Sequence, residues 1–355
     1  MLNELISEGS VVETGLAPST GGRRPLMYSI KPDILYIVSV AMDQFVTRIA
    51  IMDMQNTFIS SVQTIDLPLA NNPAALQILS EAIKTAIKES GVDAKKIAGV
   101  GIGMPGFVDM QKGLNYSFLE SGQKNISEYI ENVIGIPVWI DNDSRLIALA
   151  ELRFGAARNR RNAMVINIGW GIGLGLVLDS ELFRGNNGFA GEFSHIPLFS
   201  NGKICSCGKS GCLETESSLA MVAEKAKAAL KEGKVSSLQE ISSNYEQATD
   251  AIIQAAKRGD KFSIELLSEA GYNIGRGAAI LIHILNPEVI ILSGRGSAAG
   301  KIWQAPIQQA INEHCIPRLA DNTVIEISEL GHQAELIGAA ALVMDNYSKH
   351  KISMN

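Results

Sequence analysis

AMVINIGWGIGLGLVLDSELFRG, residues 163–185, is three β-rich runs in succession: AMVINIG, GLGLVLD and SELFRG. Short runs of apolar and β-branched residues between tight breaks read as an antiparallel meander. The same plan stands nearer the front of the chain, where ILYIVSVAM, TRIAIMD and TFISSVQTI follow one another from Ile34. That first meander leads into apolar positions at helical spacing from Leu76 to Ile87, with Pro73 placed for the first turn and Gly91 just past the end. A buried-type strand over Ile97–Ile102 ends in Met104-Pro105-Gly106, then an irregular stretch, a strand over Pro137–Ile140 and a helix from Ser144 to Phe154. Residues 163–185 restart the scheme, and EVIILSG supplies a later strand. Repetition of element order, without close residue identity, implies two α/β lobes with a cleft between them. The last helix, from Glu335 to Asn346, is expected to pack back on the first lobe.

The bulk properties exclude several classes. The chain has 355 residues, 46% hydrophobic and 19% charged, with a net charge of −6. That is a globular balance, and the acidic surplus does not favour nucleic acid or anionic membranes. The apolar run near Ile280–Ile284 is broken by His283, and no apolar run is long enough to span a bilayer. MLNELISEGS lacks the basic start and apolar core of a signal peptide, so a cytoplasmic location is expected. Ahead of the first lobe, LISEGSVVETG and PLMYSI suggest a helix end and a two-stranded hairpin with Arg23 and Arg24 near its tip.

Three of the four cysteines fall within HIPLFSNGKICSCGKSGC, His195–Cys212. The spacing H-x9-C-x-C-x4-C offers three thiolates and one imidazole, a closed tetrahedral shell for a structural Zn2+ with no position left for water. His195, Cys205, Cys207 and Cys212 are the candidate ligands, and Gly208 and Gly211 let the chain turn tightly between them. Cys315 stands apart and reads as core. Glu192 and Glu214 flank the motif. They are either solvated loop residues or acceptors for a polyol, toward which the second ring nitrogen of a metal-bound His195 would donate. In IDNDSRLIALAEL, Asp141, Asn142 and Asp143 lie between strand and helix, where Asp143 is either a helix cap or a general base. The glycines of NIGWGIGLGLVLD are either a phosphate loop or close packing within a strand pair.

GIGMPGFVD, IDNDSRLIALAELRFGAA, GWGIGLGLVLDSELFRGNNGFAGEFSH, CSCGKSGCLE and LNPEVIILSG together resemble the ROK family of repressors, open reading frames and sugar kinases, from about Pro25 to Tyr347. The resemblance implies a two-lobed actin-like, hexokinase-type (ribonuclease H-like) α/β fold with an inserted zinc motif. It places sugar contacts on Asn142, Asp143, Glu192, His195 and Glu214, with Gly106 a weaker one, and makes Asp143 the general base if the chain is a kinase. Departures weigh against that activity. The kinases' first phosphate loop, D-x-G-x-T, reads Asp43-Gln44-Phe45-Val46-Thr47 here; Trp170 replaces a threonine, SGRG replaces a paired-glycine turn, and Ser194 replaces a glycine beside His195. Preorganised donors are what phosphoryl transfer depends on, so no enzymatic activity is expected. The N-terminal segment is similar to the wing of the winged helix-turn-helix of ROK repressors, without its DNA-reading helices. The expectation is a sugar-responsive repressor, binding a sugar or sugar phosphate in the interlobe cleft and contacting DNA weakly through Arg23 and Arg24. It would be a homodimer or homotetramer with no membrane association. The alternative is an ATP-dependent kinase of a hexose or N-acetyl amino sugar. The expected domains are 1–32 (wing remnant), 33–142 with 335–350 (first lobe) and 143–334 (second lobe).

Overall fold

The computed structural model describes residues 2–18, 24–119 and 125–354. The chain divides into two units, one of residues 1–106, 110–141 and 339–355, the other of residues 107–109 and 142–338. Each is built on a five-stranded sheet, and the two sheets share one strand order. In the first it runs Gln63–Asp66, Val46–Asp53, Tyr36–Met42, Ile97–Met104, Val138–Asn142; in the second, Glu181–Phe183, Ile172–Leu178, Ala163–Ile168, Val289–Ser293, Val324–Ile327. In both, the three meander strands pair antiparallel and the next strand joins the first of them in parallel. The two lobes read from element order are thus the same sheet built twice.

The interior strands explain their composition. Ile97–Met104 is buried at every residue and Tyr36–Met42 at all but its first. Strands covered on both faces read as continuous apolar runs rather than alternating ones. Gly101 is required by packing, because a Cβ there would lie 2.0 Å from the carbonyl oxygen of Ala339 in the C-terminal helix. That helix runs Ala334–Met354, and from Ala339 onward it belongs to the first unit.

A helix and an edge strand are among the elements that went unread in the sequence. The stretch expected to be irregular contains a helix, Ile126–Ile134, closed by Asn125, whose side chain accepts from the Glu128 N–H, and by Gly135 at φ 73°. Ile126, Ile130 and Ile134 repeat at helical spacing, so the signal was present, confined to nine residues. The edge strand Val324–Ile327 is only four residues long, and although Asp321-Asn322 turn the chain ahead of it, a run that short carries little alternation to set it apart from loop.

At the N-terminus a helix, Leu2–Ser7, precedes the antiparallel pair Val11–Leu16 and Leu26–Ile30. None of the helix is buried, and Leu16, Leu26 and Ile30 are exposed. Arg24 is exposed beside the second strand; Arg23 lies outside the described residues. No helix among the described residues is long and apolar enough to cross a membrane.

In the second unit, the helix Asp143–Phe154 lies directly on the strand Ile172–Leu178. A Cβ on Gly173 would meet the Ser144 hydroxyl at 1.8 Å, and one on Gly175 the Ala148 side chain at 2.2 Å. The far end of this helix is pinned by buried Glu151, which accepts from the Ser293 hydroxyl (3.0 Å), the Ser328 hydroxyl and the Ala156 N–H (3.0 Å). A buried carboxylate is tolerated when its oxygens are hydrogen-bonded in this way. Cys315 is buried in this unit's main apolar cluster, as expected.

Candidate functional site

The helix Asp143–Phe154 begins where the strand Val138–Asn142 ends, and the handover fixes two polar side chains. Asn142, not Asp143, is the cap: its side-chain oxygen accepts from Ser144 N–H (3.0 Å) and Arg145 N–H (3.2 Å). Asp143 Oδ1 accepts from the Ser144 N–H (2.6 Å) and hydroxyl (3.1 Å). The Ser144 hydroxyl in turn accepts from Asn167 Nδ2 at 3.0 Å. Asn167, Ser144 and Asp143 therefore form a chain that orients the carboxylate from the adjoining strand.

The run of glycines resolves as packing. Gly173 and Gly175 admit the helix, and Gly171 makes room for Glu214, whose Oε2 would lie 2.5 Å from a Cβ there. Glu214 also accepts from the Ile172 backbone N–H. Burial raises its pKa, opposed by the charge of His195 and by that hydrogen bond.

Glu192 precedes the short turn Phe193–His195, which is anchored by Phe193 at 2% exposure in the core. The side chain of Glu192 is 38% accessible, and its Oε2 lies 4.0 Å from His195 Nε2. Burial of the carboxylate nonetheless pushes its pKa up to about 7; Arg145 lowers it, and Asp143 and Glu214 raise it further. Three carboxylates thus share one neighbourhood with one imidazole.

The other nitrogen of His195 faces the cysteines: Nδ1 is 3.5 Å from Cys205 Sγ, and Cys207 Sγ is 3.6 Å from Cys212 Sγ. The ligand atoms of His195, Cys205, Cys207 and Cys212 all lie within 4.8 Å of one another. The cysteines are unbonded thiols. A tetrahedral ion with metal–sulfur bonds of about 2.3 Å needs sulfur–sulfur edges of roughly 3.8 Å and nitrogen–sulfur edges of roughly 3.5 Å. The observed spacings fit such a shell, whereas a disulfide would need about 2.05 Å. Burial pushes the Cys212 thiol up to about 12, so metal uptake there must displace a proton. The turn depends on Gly208 at φ 82° and on Gly211, where φ is 78° and a Cβ would strike the Phe199 carbonyl oxygen at 1.9 Å. Both glycines do what their spacing suggested.

Asn142, Asp143, Glu192, His195 and Glu214 all belong to the second unit. Gly106 belongs to the first, where φ of 85° and the Ser117 side chain, 2.5 Å from where a Cβ would be, account for the glycine. Ser194 is buried. Sequence reasoning missed Ser144, Asn167, Arg145, Phe107 and Phe189. Arg145 donates from Nη2 to the Val108 carbonyl at 2.9 Å and from Nη1 to the Gly188 carbonyl. Its one legible signal was an arginine on the apolar side of a helix.

Comparison with known proteins gives relatives of both kinds. The chain is 30% identical over 358 residues to a xylose repressor from Caldicellulosiruptor bescii, covering 98% of this chain and 87% of that protein. It is 32% identical over 272 residues to a glucokinase from Halalkalibacterium halodurans, covering 75% of this chain and 82% of that one. The crystal structure of a ROK family transcriptional regulator, described as a homolog of the E. coli MLC protein, superposes with a TM-score of 0.78 at 26% identity, over 98% of this chain and 87% of that chain.

The expectation that the chain is not an enzyme is corrected here, because a glucokinase is among its relatives in sequence and a ROK family glucokinase shares its fold. That expectation rests on the side chains of the Asp43–Thr47 loop, on Trp170 and on the SGRG turn. Phe45 is exposed, and its N–H and that of Val46 both donate to Asp43 Oδ1 at 2.7 Å, so the turn itself is tight. The Trp170 ring packs near Tyr245, with ring centroids 6.0 Å apart, and under the Arg295 guanidinium at 5.0 Å. Backbone amides cradle phosphate whatever the side chain beside them, so these replacements do not exclude phosphoryl transfer. The sequence profile described as the ROK family matches residues 40–346, and with its two-lobed actin- and hexokinase-like fold the chain belongs to that family of sugar kinases and transcriptional regulators.

Proposed function

We propose that the chain is a sugar-responsive transcriptional regulator. The observation that carries this reading is coverage: the match to a xylose repressor takes in 98% of the chain and so includes the N-terminal hairpin, whereas the match to a glucokinase takes in 75%. The hairpin is then the wing of a DNA-binding module, and Arg24, exposed beside its second strand, together with its sequence neighbour Arg23 is the candidate phosphate contact. Two arginines on an acidic chain bind DNA weakly and with a shallow salt dependence.

The effector is a sugar held against the second lobe. Hydroxyls donate to Asp143, Glu192 and Glu214, and His195 donates from Nε2. Asn142 has its side-chain oxygen engaged in the cap and stands beside Asp143 at the start of the same helix. His195, Cys205, Cys207 and Cys212 hold a Zn2+ ion, which supplies a fixed point for the loop rather than an open coordination position. With Nδ1 on the metal side, the Nε2 N–H of His195 is fixed on the sugar side.

D-Xylose is the first effector to test. Thermal melts with D-xylose, D-glucose, N-acetylglucosamine and their phosphates should show stabilisation by at least one; failure of all of them overturns the reading. A second reading has its own support in the Asn167–Ser144–Asp143 chain, which would orient a general base, and in the glucokinase match. In it the chain phosphorylates its sugar with ATP. An ADP-coupled assay with the stabilising sugar decides, because Asp143→Asn abolishes any true turnover by removing the base. The two readings share one sugar site and do not exclude each other.

A further inference from the structure

Arg145 is 3% exposed, and a buried guanidinium is costly unless its donors are satisfied. Two of its donors are spent on backbone, the carbonyls of Val108 and Gly188. Each of those residues adjoins a phenylalanine, Phe107 on one segment and Phe189 on the other. The two rings meet edge to face, with centroids 6.0 Å apart and planes at 76°. Phe107 also lies nearly parallel to the ring of His195, at 6.3 Å and 12°. Both phenylalanines are half-buried, so part of each ring remains accessible. One cation, rooted two residues beyond Asp143 on the same helix, thus ties together two loop segments that carry an aromatic corner. That corner stands against the imidazole whose Nε2 faces Glu192.

We propose that Phe107 and Phe189 form a wall that takes the C–H face of a pyranose ring, with Arg145 as the positioning residue that holds the two rings side by side. The proposal rests on the sugar reading of Asp143, Glu192, His195 and Glu214. A pyranose presents two chemistries: hydroxyls around its rim, which need acceptors and donors, and C–H bonds on its faces, which are apolar. Carboxylates and an imidazole serve the rim. An aromatic face serves the C–H bonds, because the negative face of the π-system attracts their positive ends while apolar area leaves water. A ring holds those bonds on one rigid surface; an open-chain alditol carries the same hydroxyls without that surface. The wall therefore selects the cyclic sugar over its alditol.

Calorimetric titration with D-xylose, D-glucose and N-acetylglucosamine, each paired with its alditol, tests this. For the sugar that binds, Phe189→Leu is expected to weaken the cyclic form about tenfold and the alditol far less. Phe189→Tyr, which keeps the ring, should restore most of the preference, and Phe107→Leu should repeat the loss. Arg145→Lys keeps the charge but cannot reach both carbonyls, and it should also lose the preference. In proton spectra the ring C–H signals of the bound sugar should move upfield with the wild-type protein and return with Phe189→Leu. Wild-type affinity for the cyclic sugar in both leucine variants, or no upfield movement in the wild-type complex, overturns the wall while leaving the sugar site standing. Failure of every sugar to bind the folded wild-type protein overturns the sugar site and the wall with it.

Discussion

The two sheets share an order but use their glycines differently. In the first unit Gly101 yields to backbone, the carbonyl of Ala339, and the result is a helix seated on a strand. In the second, Gly175 yields to Ala148 in the same spirit, but Gly173 yields to the hydroxyl of Ser144 and Gly171 to the carboxylate of Glu214. Absence of a Cβ lets a helix approach in both. What differs is the cargo of the helix that lands. The C-terminal helix brings the Ala339 backbone and the Val343 side chain to its contact, whereas Asp143–Phe154 brings a capped, acidic N-terminus. Close packing thus doubles as preorganisation in the second unit, because the polar groups are held by contacts that already stabilise the fold.

The largest expected effect concerns what the second unit has and the first lacks among the described residues, the His/Cys cluster. Cys212→Ser removes a fully buried ligand. Elemental analysis should fall from about one zinc per chain to near none, with a matching drop in melting temperature. A wild-type protein that carries no zinc when purified without chelator breaks the metal assignment. Next comes Gly101→Val, which forces side-chain atoms into the Ala339 carbonyl. Overpacking against backbone is expected to cost about 3 kcal/mol by denaturant titration. Gly171→Ala sharpens the contrast. The obstructing atom there is the end of a flexible carboxylate, so stability should fall by less than about 1 kcal/mol. Affinity for the stabilising sugar should nonetheless drop about tenfold, because Glu214 must move. Equal loss of stability in Gly101→Val and Gly171→Ala would show that the two sheets use glycine for one purpose.

The duplicated plan was legible because meanders announce themselves by runs of Val, Ile and Leu between breaks, and both began on such runs. The metal cluster was legible because its ligands are rare residue types at short spacing. Asp143, Glu192 and Glu214 were legible through a resemblance, and their coming together in one unit could not be read from spacing across more than seventy residues. Ser144 and Asn167 carry no signal of their own: a serine at the start of a helix and an asparagine in a strand are ordinary until Gly173 brings them into reach. Phe107 and Phe189 are hidden for the same reason, since the residue that unites them is Arg145, far from both in sequence. The glycine run was ambiguous between anion loop and packing because either use requires the same missing Cβ. Reliance on the side chains of the phosphate loops to exclude catalysis failed because side-chain identity is a poor guide to what backbone amides can bind.

The smallest expected effect separates the carboxylates by charge. Glu192 ordinarily titrates near 4.5 and is pushed up to about 7 in the folded chain, chiefly by burial. Between those values the folded state holds a proton that the unfolded state has released. Stability without ligand therefore declines as pH rises from about 4.5 to 7 and is level above it, the reverse of a salt-bridged carboxylate. With its side chain 38% accessible, Glu192 is screened by water, so the slope is shallow. Sugar binding should run the other way, since a hydroxyl donates to the ionised carboxylate: affinity weakens as pH falls from 7.5 to 5.5. Glu192→Gln keeps the shape without the titration, and it should flatten both profiles. A pH profile that survives Glu192→Gln unchanged would move the titrating group to Glu214, whose carboxyl is also raised by burial.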